Sequence, residues 1–454
     1  MVESESGRRE GAVRGHLRIG LLCPYSLTTP GGVQGQVMGL ARALRRLGHE
    51  VRVLGPCDGA PPDTFVTPIG ESLPTVANGS IAPLAPDPSA ALRTIRVLRD
   101  EGFDVLHLHE PLTPGPNITA LVMRTAPIVG TFHAAGDSLS YKYLSGPLKG
   151  FASAIDARIA VSKDAIALAQ RYLGGDYAIL PNAVDIEQYR PTAETANTHV
   201  RPDHRQSIFF CGRHEPRKGL EVLLKAHARM SDDVELLIAS DGPETERLQS
   251  EFPEQKHIRW LGRISEQEKA EYLRQSSVFC APSLGGESFG VVLIEAMAAR
   301  TPVVASALDG YMNVATDDLD AVLVEPGDEE ALRDALWRVL NDPSLAQRLT
   351  EAASRRANDF SMAALAKSYV DVYHRVIEDH SQEVPRWSAG STLQRSLSGS
   401  FPSEIGDISE FLRRFRLTLG SVIKATWGGD AGMSGWVSRT AAHLRDRVRR
   451  MLSR

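Results

Sequence analysis

Residues 285–302 read Gly285-Gly286-Glu287-Ser288-Phe289-Gly290-Val291-Val292-Leu293-Ile294-Glu295-Ala296-Met297-Ala298-Ala299-Arg300-Thr301-Pro302. A short apolar strand, Val278-Phe279-Cys280-Ala281, precedes a Gly-rich turn, and the turn opens a helix. That order is a βα unit of an open α/β sheet. It leaves free backbone N–H groups and the positive end of a helix dipole above the turn, where a diphosphate fits. Glu287 lies in the turn and Glu295 on the helix, eight positions later. A continuous helix would carry both on one side. A turn before the helix lets them reach different ends of one elongated ligand. Carboxylates only accept hydrogen bonds, so a sugar at one end and a ribose at the other suit the pair. Taken alone, the same residues also describe a buried βα unit with two solvated glutamates.

Working outward, 454 residues exceed one ordinary domain and point to two Rossmann-sized domains plus extras. The four cysteines, Cys23, Cys57, Cys211 and Cys280, are scattered without metal-ligand spacing. A disulfide framework is not expected, which suits a reducing cytosol. No apolar run approaches the ~18 residues of a spanning helix, and the polar N-terminal residues 1–16 lack the apolar region of a signal peptide. Residues 381–454 hold 12 Lys and Arg against 6 Asp and Glu, a balance of +6. The remainder holds 39 against 50, a balance of −11. A basic tail on an acidic body points to an anionic partner for the tail.

In the first half, Leu17–Leu22 reads as a buried strand. The loop through Tyr25, Pro30, Gly31, Gly32 and Gln34 then opens a helix with Val37, Leu40, Ala41, Leu44 and Leu47 at helical spacing. Gly31-Gly32 serves a tight turn or a close backbone approach to a ligand. The strand Phe103–Pro111 carries His107, His109 and Glu110. Alternation puts the two histidines on one face, and closing the strand end is favoured over metal binding for want of a further ligand set. His133 follows the strand Ile128–Phe132, at a carboxyl end where ligands of open α/β sheets gather. In the second half, Arg213 and Lys218 lie in a loop between a strand and a helix opened by Gly219. Two cations beside a helix N-terminus suit a diphosphate, although surface charge is the plainer reading.

In combination these segments resemble the retaining GT-B glycosyltransferases of family 4. The match rests on Gly285–Gly290 with Glu287, on Glu295–Ser306, and on the Gly212–Gly219 loop. The wording of Pro24–Ser26 and Pro30–Gln34 narrows the resemblance to the phosphatidylinositol mannosyltransferases of actinobacteria. The resemblance spans roughly residues 17–378 and implies an α/β fold of two Rossmann-like domains facing a cleft. An N-terminal acceptor domain is expected over 17–185, a nucleotide-sugar domain over 186–360 and a crossover helix over 361–380. It implies His133, Arg213, Lys218 and Glu287 as catalytic residues. Donor contacts are implied at Gly32, Arg213, Lys218, Glu287, Ser288, Phe289, Gly290, Val291 and Glu295, with Ile264 and Lys269 toward the base. Acceptor contacts are implied at Gln34, Tyr25 and Asn78. The implied reaction moves a hexose, mannose from GDP-mannose, to a phosphatidylinositol-type lipid. No cofactor or metal is expected, because cations and helix N-termini serve the diphosphate. Departures remain. Pro83 stands after Asn78-Gly79-Ser80, where the mannosyltransferases carry an Arg. Only Arg93, Arg96 and Arg99 represent their basic helix, Ala183 replaces a usual Gly, and the usual Gly-Gly-x-x-Glu is missing from Thr301–Asp328. Another nucleotide sugar or acceptor (inositol phosphate, another lipid or a glycan), or an inactive membrane-docked scaffold, are the alternatives.

Residues 381–409 are rich in Ser, Gly and Pro and read as a linker. Over 410–454 two stretches align Leu412, Phe415, Leu419 and Val422, then Val437, Ala441, Leu444, Val448 and Met451, with arginines alongside. Trp427 and Trp436 lie near them. This is the pattern of helices lying on an anionic membrane, favoured here over packing on a protein. No nucleic-acid module is recognisable. The expected location is cytoplasmic, peripheral on the inner face of the cell membrane.

Overall fold

The computed structural model describes residues 15–77, 80–134, 141, 148–191, 205–231, 233–252, 257–287 and 289–383. The linker beyond 383 and the helices expected over 410–454 lie outside the described residues.

The first domain holds β1 (Arg18–Leu22), α1 (Gly32–Arg46), β2 (Glu50–Gly55), β3 (Val66–Pro68), β4 (Leu73–Ala77), β5 (Ser80–Leu84), α2 (Pro88–Asp100), β6 (Val105–His109), α3 (Pro116–Met123), β7 (Ile128–Phe132), β8 (Ala157–Ala160), α4 (Lys163–Leu173) and β9 (Ala178–Ile179). Seven strands form a parallel sheet in the order β3-β2-β1-β6-β7-β8-β9, and β4 and β5 pair as an antiparallel hairpin. Strands β6 and β7 are buried throughout. Their burial on both faces follows from helices covering the sheet on each side, and it takes His107, His109 and Thr131 in with the apolar residues.

The second domain holds α5 (Ile186–Tyr189), β10 (Gln206–Cys211), α6 (Leu220–Ala228), β11 (Val234–Ala239), α7 (Thr245–Glu251), β12 (Ile258–Gly262), α8 (Glu266–Gln275), β13 (Val278–Ala281), α9 (Val291–Ala298), β14 (Val303–Ser306), α10 (Asp309–Met312), β15 (Val322–Val324), α11 (Glu329–Asn341) and α12 (Pro343–Ala357). Its six parallel strands run β12-β11-β10-β13-β14-β15. In each sheet the strand order reverses beside the first strand, between β1 and β6 and between β10 and β13. Crevices open at the carboxyl ends there. The Gly31–Gly32 loop and His109–Glu110 therefore share one crevice edge. The Arg213–Gly219 loop and the Gly285–Gly290 turn share the other.

Helix α13 (Met362–Glu383) returns the chain to the first domain. It runs three residues beyond the expected 380. Its residues Met362, Leu365, Ala366, Tyr369, Val372, Tyr373 and Val376, spaced three or four apart, join the core built around β1, β2 and α1. The two passages between domains lie side by side. Val184 N–H donates to Phe360 O at 2.9 Å, and Met362 N–H to Val184 O at 2.9 Å. Gln36 locks the same place, donating to Ala183 O at 2.8 Å and accepting Ala183 N–H at 2.9 Å. All four cysteines are free.

Candidate active site

The donor-side crevice is assembled by two loops pressed together. Gly219, which opens α6, sits at φ +69°, and a Cβ there would lie 1.9 Å from Pro282 O. Only glycine permits that approach. Leu284 N–H donates to Arg217 O at 2.7 Å, closing the seam. Gly290 precedes α9 at φ +97° and supplies no side-chain cap, so it leaves the first N–H groups of α9 for another acceptor. A Cβ on Gly290 would meet the Tyr311 ring at 2.8 Å.

Glu287 stands before the helix, in the turn. Its Oε1 accepts from Lys218 Nζ at 2.5 Å, Arg217 Nη1 at 3.4 Å and Ser283 Oγ at 3.1 Å. Arg213 pairs with Glu215 at 3.2 Å, and Arg217 pairs with the same Glu215 at 2.9 Å. Three cations thus face two carboxylates, a local excess of one positive charge. Arg217 was not singled out in the sequence. Its signal was adjacency to Lys218 in Pro216-Arg217-Lys218-Gly219.

Glu295, on α9, faces a different cation. Lys269 Nζ donates to its Oε1 at 2.9 Å and forms a second ion pair with Glu266 at 2.8 Å. Glu295 Oε2 is buried and has no hydrogen-bond partner among the described residues. An open acceptor of this kind suits a ligand hydroxyl. Burial raises the Glu295 carboxyl, with Lys269 opposing. Burial alone would lower Lys269, but Glu295 and Glu266 outweigh it and hold the ammonium above its ordinary value. Lys269, expected toward the base, is therefore turned onto the two glutamates. Ile264 is half-buried against the second core. The Phe289 ring turns away from the Gly-rich turn. It is buried edge-on against Phe360 with centroids 5.6 Å apart, which leaves its main chain for a ligand. Val291 is the first residue of α9. Ser288 lies outside the described residues.

On the facing domain, α1 begins at Gly32 without a side-chain cap, and a Cβ on Gly32 would meet nothing within 4 Å. Gln34 Nε2 donates to Ser26 O at 3.3 Å. The Tyr25 hydroxyl, bonded to Thr113, is pushed up by burial and by the nearby Glu110. Pro83 O accepts Ser26 N–H at 2.9 Å, tying the β4–β5 hairpin to the α1 entry loop. Asn78 lies outside the described residues. His133 is buried, and its imidazole is lowered to about 4 by burial, against a hydrogen bond with Asn182. It is neutral at physiological pH. Its Nε2 lies 3.0 Å from His109 Nδ1. His107 has both nitrogens engaged, by Tyr373 Oη at 2.8 Å and Thr131 Oγ1 at 2.7 Å. Among the described residues no group of three or more His, Cys, Asp or Glu is placed to hold a metal.

Two family models match the chain: Glycosyltransferase Family 4 over residues 30–188 and Glycosyl transferases group 1 over residues 192–356. The phosphatidyl-myo-inositol mannosyltransferase of Mycobacterium leprae is 40% identical over 375 residues, covering 81% of this chain and 99% of that protein. The chain belongs to the phosphatidyl-myo-inositol mannosyltransferase family of glycosyltransferases. The family's protein from Mycolicibacterium smegmatis is 38% identical, covering 79% of this chain and 94% of its own length. For this glycosyltransferase the two-domain architecture is that of solved GT-B enzymes. Sucrose-phosphate synthase from Thermosynechococcus elongatus superposes with a TM-score of 0.64 at 21% identity, covering 80% of this chain and 100% of the other. Among the described residues no helix is long and apolar enough to cross a membrane.

Proposed function

We propose that this glycosyltransferase moves mannose from GDP-mannose to a phosphatidylinositol-type lipid at a membrane surface, with retention of anomeric configuration. The observation that carries the donor reading is the pair of carboxylates on one βα turn, each held by its own lysine. Glu287 meets Lys218 and Glu295 meets Lys269, with the α9 N-terminus between them. The mannose and the lipid are supported by the names of relatives at 38–40% identity. GDP rests on the sequence resemblance.

A nucleoside diphosphate enters with its phosphates over the α9 N-terminus and the excess positive charge of Arg213, Arg217 and Lys218. The Glu295 Oε2 takes a ribose hydroxyl, and Glu287 takes sugar hydroxyls. As the bond from the anomeric carbon to phosphate oxygen breaks, Arg213 and Lys218 stabilise charge that grows on the leaving diphosphate. The acceptor oxygen bonds the same face of that carbon, and its proton passes to the departing phosphate. The neutral His133 orients the sugar near its anomeric carbon without adding a cation there. Gly32 offers backbone N–H to the phosphates, and Gln34 and Tyr25 face the acceptor. Closure about Pro181–Asp185 and α13 accompanies the step. Residues 410–454 hold the enzyme on anionic lipid at the inner face of the cell membrane.

A panel of nucleotide sugars offered with phosphatidylinositol vesicles tests this, with Glu287→Ala as control. Mannolipid formed from GDP-mannose alone, and lost in the control, is the expected result. Consumption without lipid product would replace the acceptor, a reading that Pro83 favours because it puts no cation where the inositol phosphate is expected. Turnover is expected to survive EDTA; its loss and recovery with Mg²⁺ would overturn the metal-free route. Removal of residues 400–454 is expected to abolish liposome binding.

A further inference from the structure

Besides its hydrogen bond with Asn182, His133 is held by His109 at the end of the neighbouring strand β6 and by Glu110 just after it, and neither of those two has a part in the proposed reaction. Glu110 follows β6 at φ +50°, a conformation that costs a non-glycine residue energy and persists when its surroundings impose it. Its own N–H donates to Thr131 O at 2.8 Å. Its carbonyl accepts Asn117 Nδ2 at 3.1 Å, and Asn117 also donates to His109 O at 2.7 Å. The buried carboxylate is thereby aimed along the end of β7. There it accepts His133 N–H at 2.8 Å and the N–H of Ala134. Two successive backbone donors past a strand end form an anion-binding concavity, and Glu110 fills it from within. The ring of His133 is held separately. His109 Nδ1 meets His133 Nε2 at 3.0 Å with the rings stacked at 5.2 Å. The His107 ring packs tilted against His109, centroids 4.3 Å apart, and is itself pinned by Tyr373 from α13.

We propose that Glu110 and His109 are positioning residues for His133, Glu110 fixing its main chain and His109 the tautomer and plane of its ring. The inference rests on the reading that His133 faces the transferred sugar. The geometry separates it from a proton-transfer role for Glu110, because the carboxylate is spent on the enzyme's own backbone. Burial does raise that carboxyl to about 7, so the competing role makes a definite prediction of its own.

The test uses the full-length enzyme with GDP-mannose and phosphatidylinositol vesicles, and histidine-selective ¹⁵N NMR to observe the proton shared by His109 and His133. Glu110→Ala is expected to lower kcat about 10²-fold, with donor KM changed less than about twofold. The shared-proton signal should be lost. Glu110→Gln keeps an acceptor oxygen and should retain both kcat and signal. His109→Leu should behave as Glu110→Ala, and His109→Asn, which returns an amide near the Nδ1 position, should recover part of the loss. Melting curves and GDP binding verify that each variant folds. An intact signal and unchanged kcat in Glu110→Ala would overturn the proposal. So would a Glu110→Gln variant as inactive as Glu110→Ala that also lost an ionisation near pH 7 from its kcat profile. If the signal vanished in Glu110→Ala while His133→Ala kept full turnover, the positioning would stand and the assignment of His133 to the reaction centre would fall.

Discussion

The two sides of the cleft use opposite electrostatics. In the second domain, Lys218 pairs with Glu287 and Lys269 with the buried Glu295, with side-chain exposures between 10% and 20%. In the first domain, His107, His109 and His133 are buried, held neutral, and bonded to hydroxyls, an amide and one another. Paired charges hold a site ready for a ligand that brings its own charge, because partners are exchanged rather than stripped bare. A neutral network has nothing to exchange. It fixes geometry, and an open coordination is costly wherever one member is removed.

The largest break in this contrast is expected from Lys218→Ala. With Lys218 in its proposed role beside the leaving diphosphate, its loss should lower kcat about 10²- to 10³-fold, read by steady-state turnover. A loss under tenfold would mean that Arg213 and Arg217 carry the charge instead. Lys269→Met comes next. It strands the buried Glu295, and chemical denaturation should show roughly 3 kcal/mol lost, recovered in part by adding Glu295→Gln. The third concerns acid. His107 falls from 6.5 to about 3 and His133 to about 4 in the folded chain. Because these values are lowered, the unfolded chain takes up the protons first. The stability is whole above 6.5 and drains away as pH falls toward the folded values. Glu110 acts in the opposite sense: its carboxyl is raised, so its cost to stability builds as pH rises from 4.5 to about 7 and stays in full above that. The difference between wild type and His107→Gln isolates one imidazole. Their stabilities should converge by about 2 kcal/mol between pH 7 and pH 5. The smallest effect is expected at the surface pair Arg46–Asp185, 2.9 Å apart and largely exposed. Arg46→Ala should cost at most about 0.5 kcal/mol and leave kcat alone.

Much of the charged side was legible in sequence, for a local reason. Glycines at strand ends, Glu287 and Glu295 at fixed spacing, and Lys218 before Gly219 all lie within single βα turns. What escaped was who meets whom. Lys218 reaches Glu287 across 69 positions, and Lys269 reaches Glu295 across 26. No periodicity encodes such pairs, and Arg217 passed unnoticed beside its better-known neighbour for that reason. Phe289 reads like part of the Gly-rich turn, yet apolar burial against Phe360 drew its ring inward. The neutral side was the harder one. His107 and Tyr373 stand 266 positions apart, and only the return of α13 makes a strand-end histidine into a link between them. The helix itself was plain from its apolar spacing.

That returning helix has a consequence on the ribosome. Seven side chains of the first domain's core, from Met362 to Val376, are made after the whole second domain. At roughly 5–20 residues per second, some 200 residues must follow Asp185 before they emerge, a wait of about 10–40 seconds. During that interval α1 and the sheet beneath it expose an unfilled apolar groove. The first domain's core is therefore closed only once α13 has been made.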